Sequence, residues 1–376
     1  MKKISKYKVD PFLLVTMIIL AIISIMTIFS AQSLLPSYMQ DLAIKQTLWY
    51  VVGFAIAYFI MFVGNQYIYH HIWILYGIGI ISLVGLLIFA KPINDVKAWF
   101  SIPGVGTIQP SEFMKIILIM TLGKIINDFY EEYSNPSTKE EAMLLAKVGL
   151  VVFLPSILTF LQPDTGVVLI YLLITGVMLF VAGLRYRWFL IAISVLALFV
   201  AIILGLYFIN TDLLVDLVGT NFFLRIDRLL DWSNQSGFQL QNGMSAIGSG
   251  GLWGNGFNNT PIYFPEPQTD FIFAVYASNF GLIGSIFLLS LIAFLDIKLI
   301  QIANKAYSNV NRYVIAGIIG MLIYQQVQNI GMTMGLMPIT GITLPFISYG
   351  GSSLLSYMIM AGIFFNVSNE SIRYTN

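Results

Sequence analysis

The run FLLVTMIILAIISIMTIFSA, Phe12 to Ala31, decides how this chain is read, because it carries no ionisable side chain from end to end. At about 1.5 Å of rise per residue, a helix of that length crosses the roughly 30 Å hydrocarbon core of a bilayer. It is too long for a signal-peptide core and lacks a small-residue cleavage site, so it reads as a retained anchor. Apolar runs near 46–64, 72–90, 112–127, 144–160, 166–183, 188–209, 270–294, 313–337 and 343–366 repeat the pattern. Lys115, Lys124 and Lys147 interrupt the ends of the fourth and fifth runs, and Pro155 lies within the fifth. The sequence therefore predicts an all-α, polytopic membrane protein with about ten transmembrane helices, organised as a single domain over residues 1–376.

Composition agrees. The chain is 58% hydrophobic and 10% charged with a mean hydropathy of +0.83, far from the roughly 25% charged fraction of soluble domains. A net charge of +1 argues against nucleic acid as a partner, since phosphate binding needs clustered Lys and Arg. The lack of cysteine rules out disulfides, thiolate metal sites and Cys nucleophiles.

Orientation follows from the basic residues. An even number of spans puts both termini on one side, and if that side is cytoplasmic it holds thirteen of the 19 Lys and Arg residues. The six on the other side are Lys45, Lys91, Lys97, Lys115, Arg225 and Arg228. This bias follows the positive-inside rule and places the long segment between the seventh and eighth spans, 210–269, outside. The acidic stretch from Asp128 to Glu141 then reads as a solvated cytoplasmic loop, and His70 with His71 as an interfacial pair rather than a metal site.

The 210–269 segment is polar, Gly-rich and aromatic, with Trp232, Trp253, Phe257, Tyr263 and Phe264. That is a poor composition for disorder, and long segments without an obvious periodic element are usually functional. The ionisable residues cluster at the external helix ends instead of midway across the bilayer, where a coupled transporter would carry them. This points to binding or chemistry at the outer surface.

Four local sequences make up the candidate site. Lys97-Ala98-Trp99-Phe100 is followed by Pro110-Ser111-Glu112 and Lys115, where Glu112 and Lys115 share a helix face; the pair reads either as a first-turn ion pair or as a holder of an anionic head group. Gln162-Pro163-Asp164 places Asp164 as a helix cap or as a ligand for a cation or sugar hydroxyl. The run Ser245 to Gly256 reads either as a glycine turn needing positive φ or as an anion-binding nest. In Thr269-Asp270-Phe271-Ile272-Phe273 the carboxylate either caps the eighth span or acts at its entrance.

The stretch Met337-Pro338-Ile339-Thr340-Gly341 through Leu344-Pro345-Phe346-Ile347-Ser348-Tyr349-Gly350-Gly351-Ser352-Ser353 completes a set of five motifs. In combination and order they closely resemble the SEDS family of shape, elongation, division and sporulation proteins, over essentially the whole chain. Ala98 stands where many relatives have Arg or Ser, and Ser278 and Asn279 stand where many have glutamate. The short N-terminal tail and the Lys97 to Phe100 segment look more like the RodA branch than FtsW or SpoVE.

The resemblance implies an inverting peptidoglycan glycosyltransferase that polymerises lipid II at the outer face of the bacterial plasma membrane. It implies Asp270 as the catalytic position, acting as general base or as ligand of a divalent cation, Mg2+ or Mn2+. Lys97, Trp99, Glu112, Lys115, Asp164, Arg225, Arg228, Ser348 and Ser352 are the expected substrate-binding residues, with Lys115 the first candidate for the diphosphate. The segment Asn221 to Trp232 is expected to form an interfacial amphipathic helix that frames the entrance for the undecaprenyl chains of substrate and growing glycan. A class B penicillin-binding protein is the implied partner, since nothing in this chain resembles the Ser-x-x-Lys nucleophile of peptide cross-linking. Two other readings are a lipid II flippase and a non-catalytic scaffold of the cell-wall machinery. The cytoplasmic ends lack a constellation to match the external one, which weighs against the flippase.

Overall fold

A computed structural model describes residues 9–91, 97–102, 106–220, 223 and 237–374. Each of the ten expected spans coincides with a helix. The long helices are α1 (Pro11–Gln32), α2 (Leu42–Val63), α4 (Ile72–Phe89), α5 (Pro110–Glu132), α6 (Thr138–Leu161), α7 (Thr165–Val181), α8 (Tyr186–Ile209), α11 (Ile272–Asn304), α12 (Asn309–Thr333) and α13 (Gly351–Tyr374). Among the described residues eight helices are long and apolar enough to cross a membrane, α7 being apolar but shorter and α5 being interrupted by charge. Short helices α3 (Asn65–His70), α9 (Thr211–Val218) and α10 (Phe238–Ser249) join them.

Local chemistry sets several boundaries. Asp10 accepts from the backbone N–H of Phe12 at 2.9 Å, ahead of Pro11 in the first turn of α1. Ser137 and Glu140 form a reciprocal capping box that opens α6. The last expected span, 343–366, is corrected at its start, because α13 begins only at Gly351. Pro345 cannot donate to a helix, and Phe346 sits at a φ of 64°. The freed backbone of this stretch is bonded from neighbouring helices, Ser24 donating to the carbonyl of Ile347 at 2.8 Å and Gln46 to that of Ser348 at 3.2 Å. Irregular backbone within a bundle survives only when the protein itself satisfies it.

Two features depart from the expected plan. A short antiparallel hairpin, β1 (Phe100–Ile102) and β2 (Gly106–Ile108), precedes α5, a small addition to the all-α fold. The segment 210–269 is partly helical, holding α9 and α10. Of the expected amphipathic helix at Asn221 to Trp232, only Phe223 lies within the described residues.

The glycine run after α10 is a turn with positive φ at Gly251, Gly254 and Gly256, and its job is to fill a break in α11. There Gly281 adopts φ 63°, ψ −162°, and the backbone N–H groups of Leu282 and Ile283 donate instead to the carbonyls of Gly251 and Leu252, at 2.9 and 3.2 Å. A Cβ on Gly254 would collide with the carbonyl of Asn279. Asn279 also donates to Ser30 at 2.5 Å, tying the break to α1.

α13 packs on α2, α12 on α5, α7 and α11, and α4 on α5. By contrast α8 carries no buried residue.

Candidate active site

The starts of α5, α7, α11 and α13 converge at one end of the bundle around a cavity of about 650 Å³, within the roughly 300–1,000 Å³ typical of ligand sites. Trp99, Glu112, Asp164, Asp270 and Ser352, which lie far apart in sequence, share its wall. The helix N-termini turn positive dipole ends toward this region, which suits carboxylates and anions.

Asp270 is not a helix cap. The N-cap of α11 is Phe271, without a side-chain bond, which leaves the Asp270 carboxylate at the cavity. One of its oxygens lies beside Gly341, 3.6 Å from where a Cβ would stand. Its backbone carbonyl accepts from Asn329 at 2.9 Å. Burial, followed by the nearby charge of Glu266, pushes its pKa up to about 7. Glu266, at a φ of 52°, accepts from Gln268 and Thr269 at 3.0 and 2.9 Å. The strained backbone therefore aims a second carboxylate at the same entrance.

Asp164 is both the cap and the cavity residue that its sequence left open. One oxygen accepts from the N–H of Val167 at 3.2 Å and the other from Gln109 at 2.7 Å. Burial raises its pKa to about 6 against those bonds. The neighbouring Gly166 packs against the carbonyl of Thr340, so the Gly341 segment lies between Asp164 and Asp270.

Glu112 takes both carboxylate oxygens to Lys115, at 2.8 and 2.9 Å. Lys115 is fully buried, its ammonium 5.6 Å from the ring centroid of Tyr357, and it forms no part of the cavity wall. The ion pair is thus realised, and the ammonium is covered. Lys97 is exposed and also outside the wall. Ser348 joins two backbone segments, accepting from the N–H of Leu344 at 2.8 Å and donating to the carbonyl of Thr269 at 2.7 Å. Ser352 accepts from the N–H of Gln109 at 2.9 Å and docks the hairpin through the carbonyl of Thr107. Arg225 and Arg228 lie outside the described residues.

Several site residues had not been anticipated. Trp49 and Gln325 line the cavity, and Asn329 clamps Asp270. Each sits inside an apolar run, where its polar or indole side chain was the one available signal. Three buried oxygens around this region, Gln325 Oε1, Asn329 Oδ1 and Thr340 Oγ1, have no hydrogen-bond partner among the described residues.

Helices spanning a bilayer around a carboxylate-lined cavity define a multi-pass membrane protein with a polar site at one face. Residues 11–373 match the family described as cell cycle protein, FtsW/RodA/SpoVE, and the chain belongs to that family. It is 33% identical to stage V sporulation protein E of Bacillus subtilis, covering 98% of this chain and 99% of that one. It is 29% identical to the peptidoglycan glycosyltransferase MrdB of Escherichia coli K12, covering 96% and 94%. A solved structure described as coordinating polymerization and crosslinking in a peptidoglycan synthase complex aligns with a TM-score of 0.80 at 26% identity, covering 96% of this chain and 98% of that one. The rod shape determining protein RodA of Thermus thermophilus aligns at 0.69 and 27%, covering 96% of each.

Proposed function

We propose that this chain is a peptidoglycan glycosyltransferase that polymerises lipid II into glycan strands, for cell elongation and shape, from a cavity on the extracytoplasmic side with both termini in the cytoplasm. The observation that carries the reading is the convergence of Asp270, Asp164 and Glu112 on one cavity, in a family with relatives that bear that activity in their names. The positive-inside bias supports the orientation.

The reaction needs a base on one side and charge neutralisation on the other. The 4-hydroxyl of the acceptor GlcNAc attacks C1 of the donor MurNAc, the C–O bond to the diphosphate breaks, and the diphosphate leaves with the bonding electrons. The hydroxyl proton passes to the Asp270 carboxylate, whose raised pKa makes it a stronger base than an exposed aspartate while leaving it substantially ionised near neutral pH. Glu266 supports that pKa. Asp164, anchored by Gln109 and Val167, is placed to accept from a sugar hydroxyl.

A second reading of Asp270 is favoured by the cavity's donor set. Among the described residues the wall carries carboxylates and no Lys or Arg, with Gln325 and Thr340 also in its lining. Such hard oxygen donors suit Mg2+ or Mn2+, while among the described residues no three or more acidic or His side chains are close enough together to hold the ion by themselves. Asp270 would therefore share the cation with the substrate's phosphates. When bound, the cation would neutralise the departing diphosphate.

A class B penicillin-binding protein is the partner we assign, consistent with the likeness to a synthase complex that couples polymerization to crosslinking. The test is polymerisation of lipid II by the purified chain with that partner inactivated for cross-linking. Long glycan strands support the enzyme; none from a correctly assembled complex favours the scaffold, and lipid II transfer between leaflets without polymer favours the flippase.

A further inference from the structure

We propose that Trp49, with Trp99, forms the platform on which a pyranose ring of the substrate stacks, so that the enclosed part of the cavity is a sugar subsite and the diphosphate stays at its mouth. This rests on the glycosyltransferase reading and adds a residue and a division of the site to it.

Trp49 lies in the second turn of α2. A tryptophan near the end of a membrane helix is most simply an interfacial anchor facing lipid. This one is turned the other way. Its neighbour Leu48 is 59% exposed, whereas the indole of Trp49 is half-buried, lines the cavity and lies flat enough against α13 that a Cβ on Gly351 would stand 2.8 Å from its Cε2. Gly351 thus makes room for the ring. Trp99, held at the base of the hairpin by the buried Ala98, supplies a second indole to the same wall.

Charge divides the site. Glu112, Asp164, Glu266 and Asp270 line the cavity, and the described part of the wall holds no Lys or Arg. Only Glu112 is neutralised by an ion pair among the described residues. A diphosphate without its cation is repelled by such a wall, while sugar hydroxyls and an acetamide N–H are neutral donors for which the carboxylates supply the acceptors. The C–H face of a pyranose is apolar and slightly positive, which matches the negative face of an indole. Carboxylates and indoles in one lining are together a carbohydrate-binding composition.

The test is ligand-observed NMR titration of the full chain in nanodiscs with the GlcNAc-β-1,4-MurNAc disaccharide, free of lipid and phosphate. Trp49→Leu is expected to weaken binding about tenfold, and Trp49→Phe, which keeps an aromatic face, less than about threefold. Gly351→Ala retains both indoles but displaces Trp49, and is expected to behave like Trp49→Leu. Inorganic pyrophosphate with Mg2+ is expected not to displace the disaccharide. Should Trp49→Leu or Gly351→Ala misfold, 19F NMR of the 5-fluorotryptophan-labelled parent, with the conservative Trp49→Phe identifying the resonance, is expected to show the Trp49 signal shift on adding disaccharide. A parent that polymerises lipid II but shows no Trp49 shift, unchanged affinity in Trp49→Leu, or competitive displacement by pyrophosphate each overturns the subsite and leaves the enzyme reading standing. A parent that binds disaccharide through Trp49 yet makes no polymer overturns the enzyme reading alone.

Discussion

The side-chain amide of Asn329 donates to the backbone carbonyl of Asp270 at 2.9 Å and to that of Ile342 at 2.7 Å. One fully buried carboxamide on α12 thereby holds together the segment that carries Asp270 and the segment that walls it in. Asn329→Ala leaves two carbonyls short of a donor. A loss of about 1–3 kcal/mol in stability is expected, with kcat for lipid II polymerisation falling about 10- to 100-fold and KM little changed. A matched fall in kcat and rise in KM would mean that Asn329 acts through binding instead of through the position of Asp270.

The raised pKa of Asp270 sets the sign of the pH dependence. As a base it must be ionised, so activity is expected to rise with pH through about 7. Glu266 contributes to that shift by its charge, and Glu266→Gln is expected to move the acidic limb of the kcat profile to lower pH. A limb that stays in place would show that Asp270 is not the titrating group.

The same shift enters stability. A carboxyl with a folded pKa above its unfolded value near 3.9 favours the folded state at low pH, and that contribution is lost as pH rises through about 7. Asp270→Asn is therefore expected to raise the thermal midpoint more at pH 8 than at pH 4, measured by scanning fluorimetry in detergent.

Lys115 is the structural half of a buried pair. Lys115→Ala leaves Glu112 without its counter-ion, a change that typically costs about 3–5 kcal/mol. The double variant Glu112→Gln, Lys115→Met is expected to recover most of that stability, because it removes both charges, while polymerisation stays impaired because Glu112 lines the cavity. Full recovery of activity would assign the pair to folding alone.

At the break in α11, Gly281→Ala places a Cβ against the backbone of Gly254 and Leu252 at a φ of 63°. Loss of at least about 2 kcal/mol is expected, read as a lower thermal midpoint. Ser285→Ala, one turn further on, removes a bond to the Gly281 carbonyl and is expected to cost less.

The spans were legible because each carries its signal within its own twenty or so residues. So were Glu112, Asp164 and Asp270, as charges at helix ends. What was not legible depends on partners far off in sequence. Nothing local in 313–337 distinguishes Asn329 as the residue that meets Asp270, nor in 46–64 marks Trp49 as facing Gly351. The covering of Lys115 by Tyr357, which withdraws it from the cavity wall, is likewise a tertiary fact. The hairpin at Phe100 to Ile108 has strands too short for a period to show, and α10 contains Gly243 and Gly248, poor helix formers that made its sequence read as loop.

The most direct measurement compares the parent with Asp270→Asn in lipid II polymerisation with the inactivated penicillin-binding partner, across a titration of Mg2+ and Mn2+, after matching gel-filtration profiles establish that both are assembled. Long strands from the parent and a fall of at least about 100-fold in the variant at every cation concentration are expected. A variant that matches the parent would contradict the placement of the chemistry at Asp270.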